Sequence, residues 1–366
     1  MNREHATASY YAHTMPGLEG IAWTEIKARL PRSSFHGFKQ MRRKNGLVLF
    51  TYDGAPDRLL ELRTTEDVFF LVERIPKLPW GYEGLSCIYE TLLRTQALHR
   101  GLAAHHRRTG YTRKKRLDFR VVARMAGRHH PYRRLDLARS VQRALEKGSR
   151  GKWHGVQAGE DVEIWANLIG LDFICGLRLS GASMRHRSYK RVHLPASLRP
   201  SVAAAMVRLT EPDPSDVFLD PMCGAGTLLI ERGMAEQHAL LLGGDIRGNA
   251  LRAAAANVGP RHKPRQLVHW DARHLPLNSH SVGKVATNLP FGLTTGSRSE
   301  NPSLYRAVLG ELDRVLTADG CAVMLSNETQ LIRNAVRQIE GLQIVRGYSV
   351  TILGRRARVY LLGRPT

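Results

Sequence analysis

Asp220-Pro221-Met222-Cys223-Gly224-Ala225-Gly226-Thr227 closes one short β-rich run, Asp216–Leu219, and opens a helical one, Thr227–Glu236. A strand that turns through paired glycines into a helix makes a ligand loop, because glycine lets backbone N–H groups approach whatever is bound there. The loop departs from a dinucleotide site. Close helix–strand packing there needs Gly or Ala three residues after Gly226, and Leu229 stands in that place. Taken alone, the glycines also fit a tight turn with no ligand.

The alternation continues outward from this loop. Strand patterns recur at Ala239–Leu242, Gln266–His269, Gly283–Asn288 and Cys321–Ser326, and helical ones at Arg247–Asn257, Ser303–Leu316 and Glu328–Ile339. Short β-rich runs separated by helices predict an α/β doubly wound sheet. Two final β-runs, Leu342–Leu353 and Ala357–Leu362, are separated only by Gly354-Arg355-Arg356. So short a link permits an antiparallel hairpin and excludes a helical crossover.

Acidic residues punctuate the strand ends. A carboxylate at Asp220 repels a pyrophosphate but pairs with an ammonium group, and S-adenosylmethionine carries an ammonium and no phosphate. Asp245, 19 residues after Gly226, ends the next strand, where it can accept both ribose hydroxyls or cap the following helix. Asp271 ends the third strand beside Ala272; it can receive an adenine amino group, with Ile246 covering the ring, or be an ordinary turn residue.

Asn288-Leu289-Pro290-Phe291-Gly292 closes the fourth strand, at the carboxyl edge where open α/β sheets bind ligands. An exocyclic amine on a nucleobase is a poor nucleophile, its lone pair being delocalised into the ring. The Asn288 side-chain oxygen and the Leu289 carbonyl can each accept one of its N–H bonds and so hold a pyramidal nitrogen towards a methyl donor. Pro290 fixes the turn that aims them. Asparagine is no general base near neutral pH, so the contribution is positioning and electrostatic help. Phe291 offers a stacking face for a base drawn from its helix.

Lys and Arg number 55 against 32 Asp and Glu, a net charge of +23, which favours a polyanionic partner. Residues 100–150 alone hold 16 basic and 3 acidic side chains. Neither an apolar run long enough to cross a membrane nor an N-terminal signal or lipidation motif is seen, and the expectation is a soluble, cytoplasmic monomer. Cys87, Cys175, Cys223 and Cys321 lack paired spacing, so neither zinc nor a disulfide framework is expected. Upstream, helical periodicity runs through Ile21, Ile26 and Leu30 and again over Leu92–Leu102, with strand patterns at Gly46–Tyr52, Asp118–Ala123 and Val162–Ile169.

His193-Leu194-Pro195-Ala196-Ser197-Leu198-Arg199-Pro200, the segment Asp220 to Glu231, and Asn288 to Gly292 together resemble the THUMP-containing RNA guanine-N2 methyltransferases. Phe119–Ala126, Trp153 and Val162–Ser180, then Arg185, Arg187, Tyr189 and Lys190, resemble the THUMP part; residues 9–78 resemble the ferredoxin-like domain that precedes it. The resemblance implies three parts: a ferredoxin-like domain over 1–78, an α/β THUMP domain over 79–183, and a class I (Rossmann-like) methyltransferase domain over 184–366, of which 184–200 is linker and first helix start.

It also implies S-adenosylmethionine held by Arg199, Pro200, Asp220, Cys223, Gly224, Ala225, Gly226, Thr227, Asp245, Ile246, Asp271, Ala272 and Asn288. The implied substrate is tRNA, gripped by its 3′ end and methylated on a guanosine at position 6 of the acceptor stem. Arg124, Arg128, Arg133, Arg134, Lys190 and Arg298 are the expected RNA contacts; the Arg113-Lys114-Lys115-Arg116 run reads equally as a phosphate contact or a solvated loop. Two other enzymatic readings stay open, guanosine in large-subunit ribosomal RNA and adenine N6 in nucleic acid. So does a non-enzymatic one, an RNA-binding protein with a vestigial cofactor fold.

Overall fold

The computed structural model describes residues 8–41, 44–109, 116–127, 129–195, 197–292, 297, 299–352 and 354–365, with no side-chain description for 107–109. The chain divides into two compact units, Met1–Met184 and Arg185–Thr366.

The first unit is built on one eight-stranded sheet in the order β2-β3-β1-β4-β8-β7-β5-β6. Its strands are β1 (Ala8–Thr14), β2 (Ser33–Met41), β3 (Asn45–Tyr52), β4 (Asp67–Ile75), β5 (Leu117–Ala126), β6 (Trp153–Gly155), β7 (Val162–Ile169) and β8 (Asp172–Arg178). β2-β3-β1-β4 pair antiparallel throughout, with helix α1 (Glu19–Arg29) between β1 and β2. This is the ferredoxin-like order, its second helix shortened to a six-residue 3-10 helix at Pro56–Glu61.

β4 then pairs antiparallel with β8, so the strands of 1–78 and of 79–183 share one ladder. Arg178 on β8 sits between Asp67 of β4, at 2.6 Å, and Glu163 of β7, at 2.8 Å, which ties three strands by paired charges rather than leaving any of them buried alone.

Helices α2 (Tyr82–Arg94), α3 (Ala97–Thr109) and α4 (Arg134–Gly148) bury Leu92, Leu98, Leu137, Val141 and Leu145 in a core shared with Val68, Phe70, Phe119 and Ile164. The single helix expected over Leu92–Leu102 is two helices. Thr95 leaves the helical conformation, its hydroxyl donates to Glu73 Oε1 at 2.5 Å, and the Ala97 amide donates back to it at 3.3 Å. A short helix, α5 (Ala182–Arg185), follows β8.

The second unit is the doubly wound sheet expected from the alternation, in the order β11-β10-β9-β12-β13-β15-β14. β9 (Val217–Asp220), β10 (Leu240–Asp245), β11 (Arg265–His269), β12 (Val282–Asn288) and β13 (Leu316–Ser326) are parallel. β14 (Gln343–Ile352) and β15 (Arg355–Gly363) form the closing hairpin, with β15 antiparallel to both β13 and β14. The helices are α6 (Pro200–Leu209), α7 (Thr227–Ala235), α8 (Gly248–Val258), α9 (Asn301–Val315) and α10 (Thr329–Val336).

Burial follows the period of two. Leu219, Leu242, Val285 and Met324 pack with Tyr305, Leu309, Leu312 and Ile332 of α9 and α10. Their neighbours Phe218, Leu241, Ala286 and Val323 are equally buried and project to the opposite face. The order reverses between β9 and β12, the switch point at which such sheets open a crevice at their carboxyl ends.

Candidate active site

A cavity of about 880 Å³ opens at these strand ends, within the size range of small-molecule sites. Of the residues expected to hold a cofactor, Arg199, Asp220, Cys223, Gly224, Ala225, Thr227, Asp245, Ile246, Asp271, Ala272 and Asn288 all line it, and so do Leu289, Pro290 and Phe291. Pro200 and Gly226 stand one step back. Pro200 is the buried first residue of α6. Gly226 has φ +77°, and a Cβ there would come within 3.3 Å of Ala254 and Val258, so this glycine serves the packing of the loop on α8. Gly224, with φ +52°, would meet nothing within 4 Å and is the glycine with open space before it.

Asp220 is 2% exposed, and burial pushes its carboxyl up to about 8 against the weaker lowering pull of the Met222 amide. Such a group gains by meeting a positive charge in a water-poor place.

Asp245 is also buried, and its two oxygens are committed to backbone: Oδ2 accepts the Gly224 amide at 3.0 Å and Oδ1 accepts the Arg247 amide at 3.0 Å. It does not cap α8, whose N-cap position is Arg247. The carboxylate instead fixes the glycine loop to the end of β10. Asp271 is held in a fork by Arg273, whose Nη2 donates to Oδ2 at 2.5 Å, and this bond keeps its carboxyl below the usual range.

Asn288 is the last residue of β12, opposite Leu325 of β13. Its Oδ1 is buried and accepts no hydrogen bond among the described residues. Buried acceptors are normally satisfied, since leaving one bare costs about 1–3 kcal/mol. The turn that follows is braced from α9 by two residues that no sequence motif singled out. Tyr305 Oη donates to the Pro290 carbonyl at 2.8 Å, and Asn301 Nδ2 donates to the same oxygen at 3.2 Å. The Leu289 amide donates to the Leu325 carbonyl at 3.1 Å, extending the ladder one residue past the strand.

The expected RNA contacts lie in different settings. Arg128 and Arg298 fall outside the described residues, as do Arg113, Lys114 and Lys115. Lys190 donates to the Leu198 carbonyl at 2.8 Å and is lowered by burial, so its ammonium braces the segment that leads to α6. In the first unit, Arg124 bonds Asn45 Oδ1 and lies 4.2 Å above the Trp165 ring. Arg133 and Arg134 are exposed at the start of α4, where Asp136 accepts the Arg133 amide at 2.8 Å. Lys44, which the sequence reading passed over, is exposed beside Arg124 and Arg134; after burial, their charges lower it further.

Among the described residues no group of three His, Cys, Asp or Glu side chains is placed to hold a metal ion, and no helix is long and apolar enough to cross a membrane.

Comparison with known proteins fits this geometry. Residues 187–357 match the family model described as UPF0020, RMKL-like, methyltransferase domain. The human tRNA (guanine(6)-N(2))-methyltransferase THUMP3 is 32% identical over 263 residues, covering 68% of this chain and 51% of its own. The Thermus thermophilus tRNA (guanine(6)-N2)-methyltransferase is 27% identical over 224 residues, 60% of this chain and 65% of its own. The chain thus spans about half the length of the human relative. The crystal structure of TrmN from Thermus thermophilus shares the fold end to end, with a TM-score of 0.78 at 23% identity over 98% of this chain and 99% of that one.

Proposed function

We propose, for a chain that belongs to the THUMP3- and TrmN-like methyltransferase family through its UPF0020 domain, that it moves a methyl group from S-adenosylmethionine to the exocyclic N2 of a tRNA guanosine. The target is position 6 of the acceptor stem, and the first unit holds the 3′ end. The observation that carries this reading is the buried Asn288 Oδ1 at the end of β12, which accepts no hydrogen bond among the described residues. It is an acceptor waiting for a donor, and an aromatic amine is a donor that needs such help.

The residues present fit the cofactor. Asp220 would take its ammonium, Asp245 its ribose hydroxyls, and Asp271 with Ala272 and Ile246 its adenine, with Arg199 also at the cavity wall and Pro200 behind it. When bound, S-adenosylmethionine supplies an electrophilic methyl on its sulfonium. Asn288 Oδ1 and the Leu289 carbonyl accept the two N–H bonds of the substrate amine and turn its lone pair outwards. Tyr305 and Asn301 keep Pro290, and with it both acceptors, in register. Phe291 stacks against the extruded base, which offsets the few kcal/mol of unstacking. The surplus proton leaves to water after transfer, because no asparagine takes it near neutral pH.

The test is to methylate total tRNA with labelled cofactor and locate the label by mass spectrometry. N2-methylguanosine at position 6 is expected. Label confined to ribosomal RNA, or found as N6-methyladenosine, overturns the assignment.

Asp220 gives the cofactor step a pH dependence. Its carboxyl is raised by burial from 3.8 to about 8 in the free protein, so its ionisation costs folding stability as the pH rises through that range. Pairing with an ammonium removes that cost. Affinity for S-adenosylhomocysteine should therefore rise with pH between 5.5 and 7, on the order of tenfold per unit, with about one proton released on binding. Calorimetry in buffers of different ionisation enthalpy measures both; a flat affinity would count against the pairing.

For the RNA, the crowded cations Lys44, Arg124, Arg133 and Arg134 supply phosphate contacts. Lys44→Gln with Arg134→Gln, which spares the stacked Arg124, should weaken tRNA binding and reduce the salt slope by roughly 0.7–0.9 per lost contact. An unchanged slope removes these residues from the interface.

A further inference from the structure

The acceptors at Asn288 and Leu289 recognise an amine and nothing more. Guanine N2 and adenine N6 satisfy them equally, so the choice of base needs a second group facing another edge. The closing hairpin supplies one.

β13 ends its pairing at Ser326, which lies opposite Arg358 of β15. β14 and β15 continue past that point with each other alone, through Val350–Ala357, Thr351–Arg356 and Ile352–Arg355. Three further pairs carry the hairpin roughly 10 Å beyond the edge of the parallel strands. That edge is where Asn288 sits, and the last pair of the overhang, Ile352 and Arg355, lines the same cavity as Asn288 and Phe291.

Four arginines line this cavity. Arg247 and Arg273 are held by Asp245 and Asp271, and Arg199 lies at the start of α6 among the cofactor contacts. Arg355 is exposed and forms no ion pair with any described residue. It comes from the hairpin, apart from every residue assigned to the cofactor.

We propose that Arg355 reads the O6/N7 edge of the target guanine and so sets guanine over adenine. The inference rests on the guanosine-N2 reading given above and deepens it. An arginine fork donates two parallel bonds to O6 and N7, whereas adenine held at the acceptors by its N6 amine brings no carbonyl oxygen to the fork, and each such pair is worth about 1–3 kcal/mol of discrimination. A base drawn out of its helix leaves that edge open to protein. Ile352, paired with Arg355 across the hairpin, gives the guanidinium an apolar neighbour at the cavity wall.

The experiment uses a tRNA transcript that the wild type methylates, rebuilt by ligation with either guanosine or 2-aminopurine riboside at the methylated position. 2-Aminopurine keeps the 2-amino group and lacks O6. Wild type should favour guanosine in kcat/KM by about 5- to 150-fold. Arg355→Met should lower the guanosine value by that factor and leave the 2-aminopurine value unchanged, so that discrimination collapses.

Equal slowing of both substrates marks a phosphate contact and overturns the inference, as does unaltered discrimination. If Arg355→Met weakens S-adenosylhomocysteine binding, the hairpin itself has been disturbed. Arg355→Lys, which keeps the charge and loses the fork, then decides: discrimination lost supports the inference, and discrimination kept overturns it. A wild type that methylates no guanosine N2 in RNA fails the functional reading first and takes this one with it.

Discussion

Asn288→Ala is expected to slow methyl transfer by on the order of 10²–10³-fold while leaving tRNA affinity and S-adenosylhomocysteine binding within about twofold. The side chain removed has a buried oxygen that accepts no hydrogen bond among the described residues, so the resting protein loses no described hydrogen bond at that atom. What disappears is an acceptor needed only when the amine arrives and its nitrogen becomes pyramidal. Single-turnover methylation beside filter binding separates the two effects. Turnover at the wild-type rate would remove Asn288 from the chemistry, and a parallel loss of RNA affinity would make it a binding residue. Asn288→Asp, which keeps an acceptor oxygen, should recover part of the rate.

The second large effect concerns folding. Arg232 on α7 is 0% exposed; it donates to Asp216 Oδ2 at 2.9 Å, to the Asp213 carbonyl at 2.6 Å, and to the Glu236 and Gln237 carbonyls, each at 3.0 Å. One guanidinium thus joins the entrance of β9 to the end of α7, on the two elements that carry the glycine loop. Arg232→Met keeps most of the volume and strands a buried carboxylate together with three carbonyls. We expect a loss of about 3–5 kcal/mol in unfolding free energy, seen in urea as a lower midpoint with an unchanged slope. A loss below about 1 kcal/mol would mean that water replaces the guanidinium.

The second unit was legible because its central strands are buried on both faces and punctuated by helices, so each β-rich run of the sequence falls within a residue or two of an observed strand, apart from β10, which runs on to Asp245 past the expected Leu242, and β13, which begins at Leu316, earlier than the expected Cys321. The glycine loop was legible because such a strand-to-helix turn requires unusual residues, two glycines at positive φ, with a carboxylate at the strand end.

Other features have no such signature. The break at Thr95 is invisible to periodicity, since Leu92 before it and Leu98 after it face the same core. Tyr305 and Asn301 bear on the turn after β12 from a helix whose pattern records only which side is buried. Charge is legible only in part: Lys190 and Arg124 read as RNA contacts by residue type, and the structure adds that one donates to a carbonyl and the other stacks on an indole. A sequence shows where cations are, not what they are already bonded to.

The unbroken ladder of the first unit bears on how this protein can be taken apart. β4 and β8 are each other's neighbours in the middle of eight strands, so a cut between residues 78 and 79 runs through the sheet rather than between bodies. A fragment that begins after the cut would present β8, with the buried Phe173, Ile174 and Cys175, as a bare edge, and its counterpart would present β4 with Phe69 and Phe70. Exposed apolar edges of that kind recruit one another. Gene halves divided there would be expected to yield aggregates in separate expression and soluble material only when co-produced, whereas a division near residue 184 leaves both sheets whole.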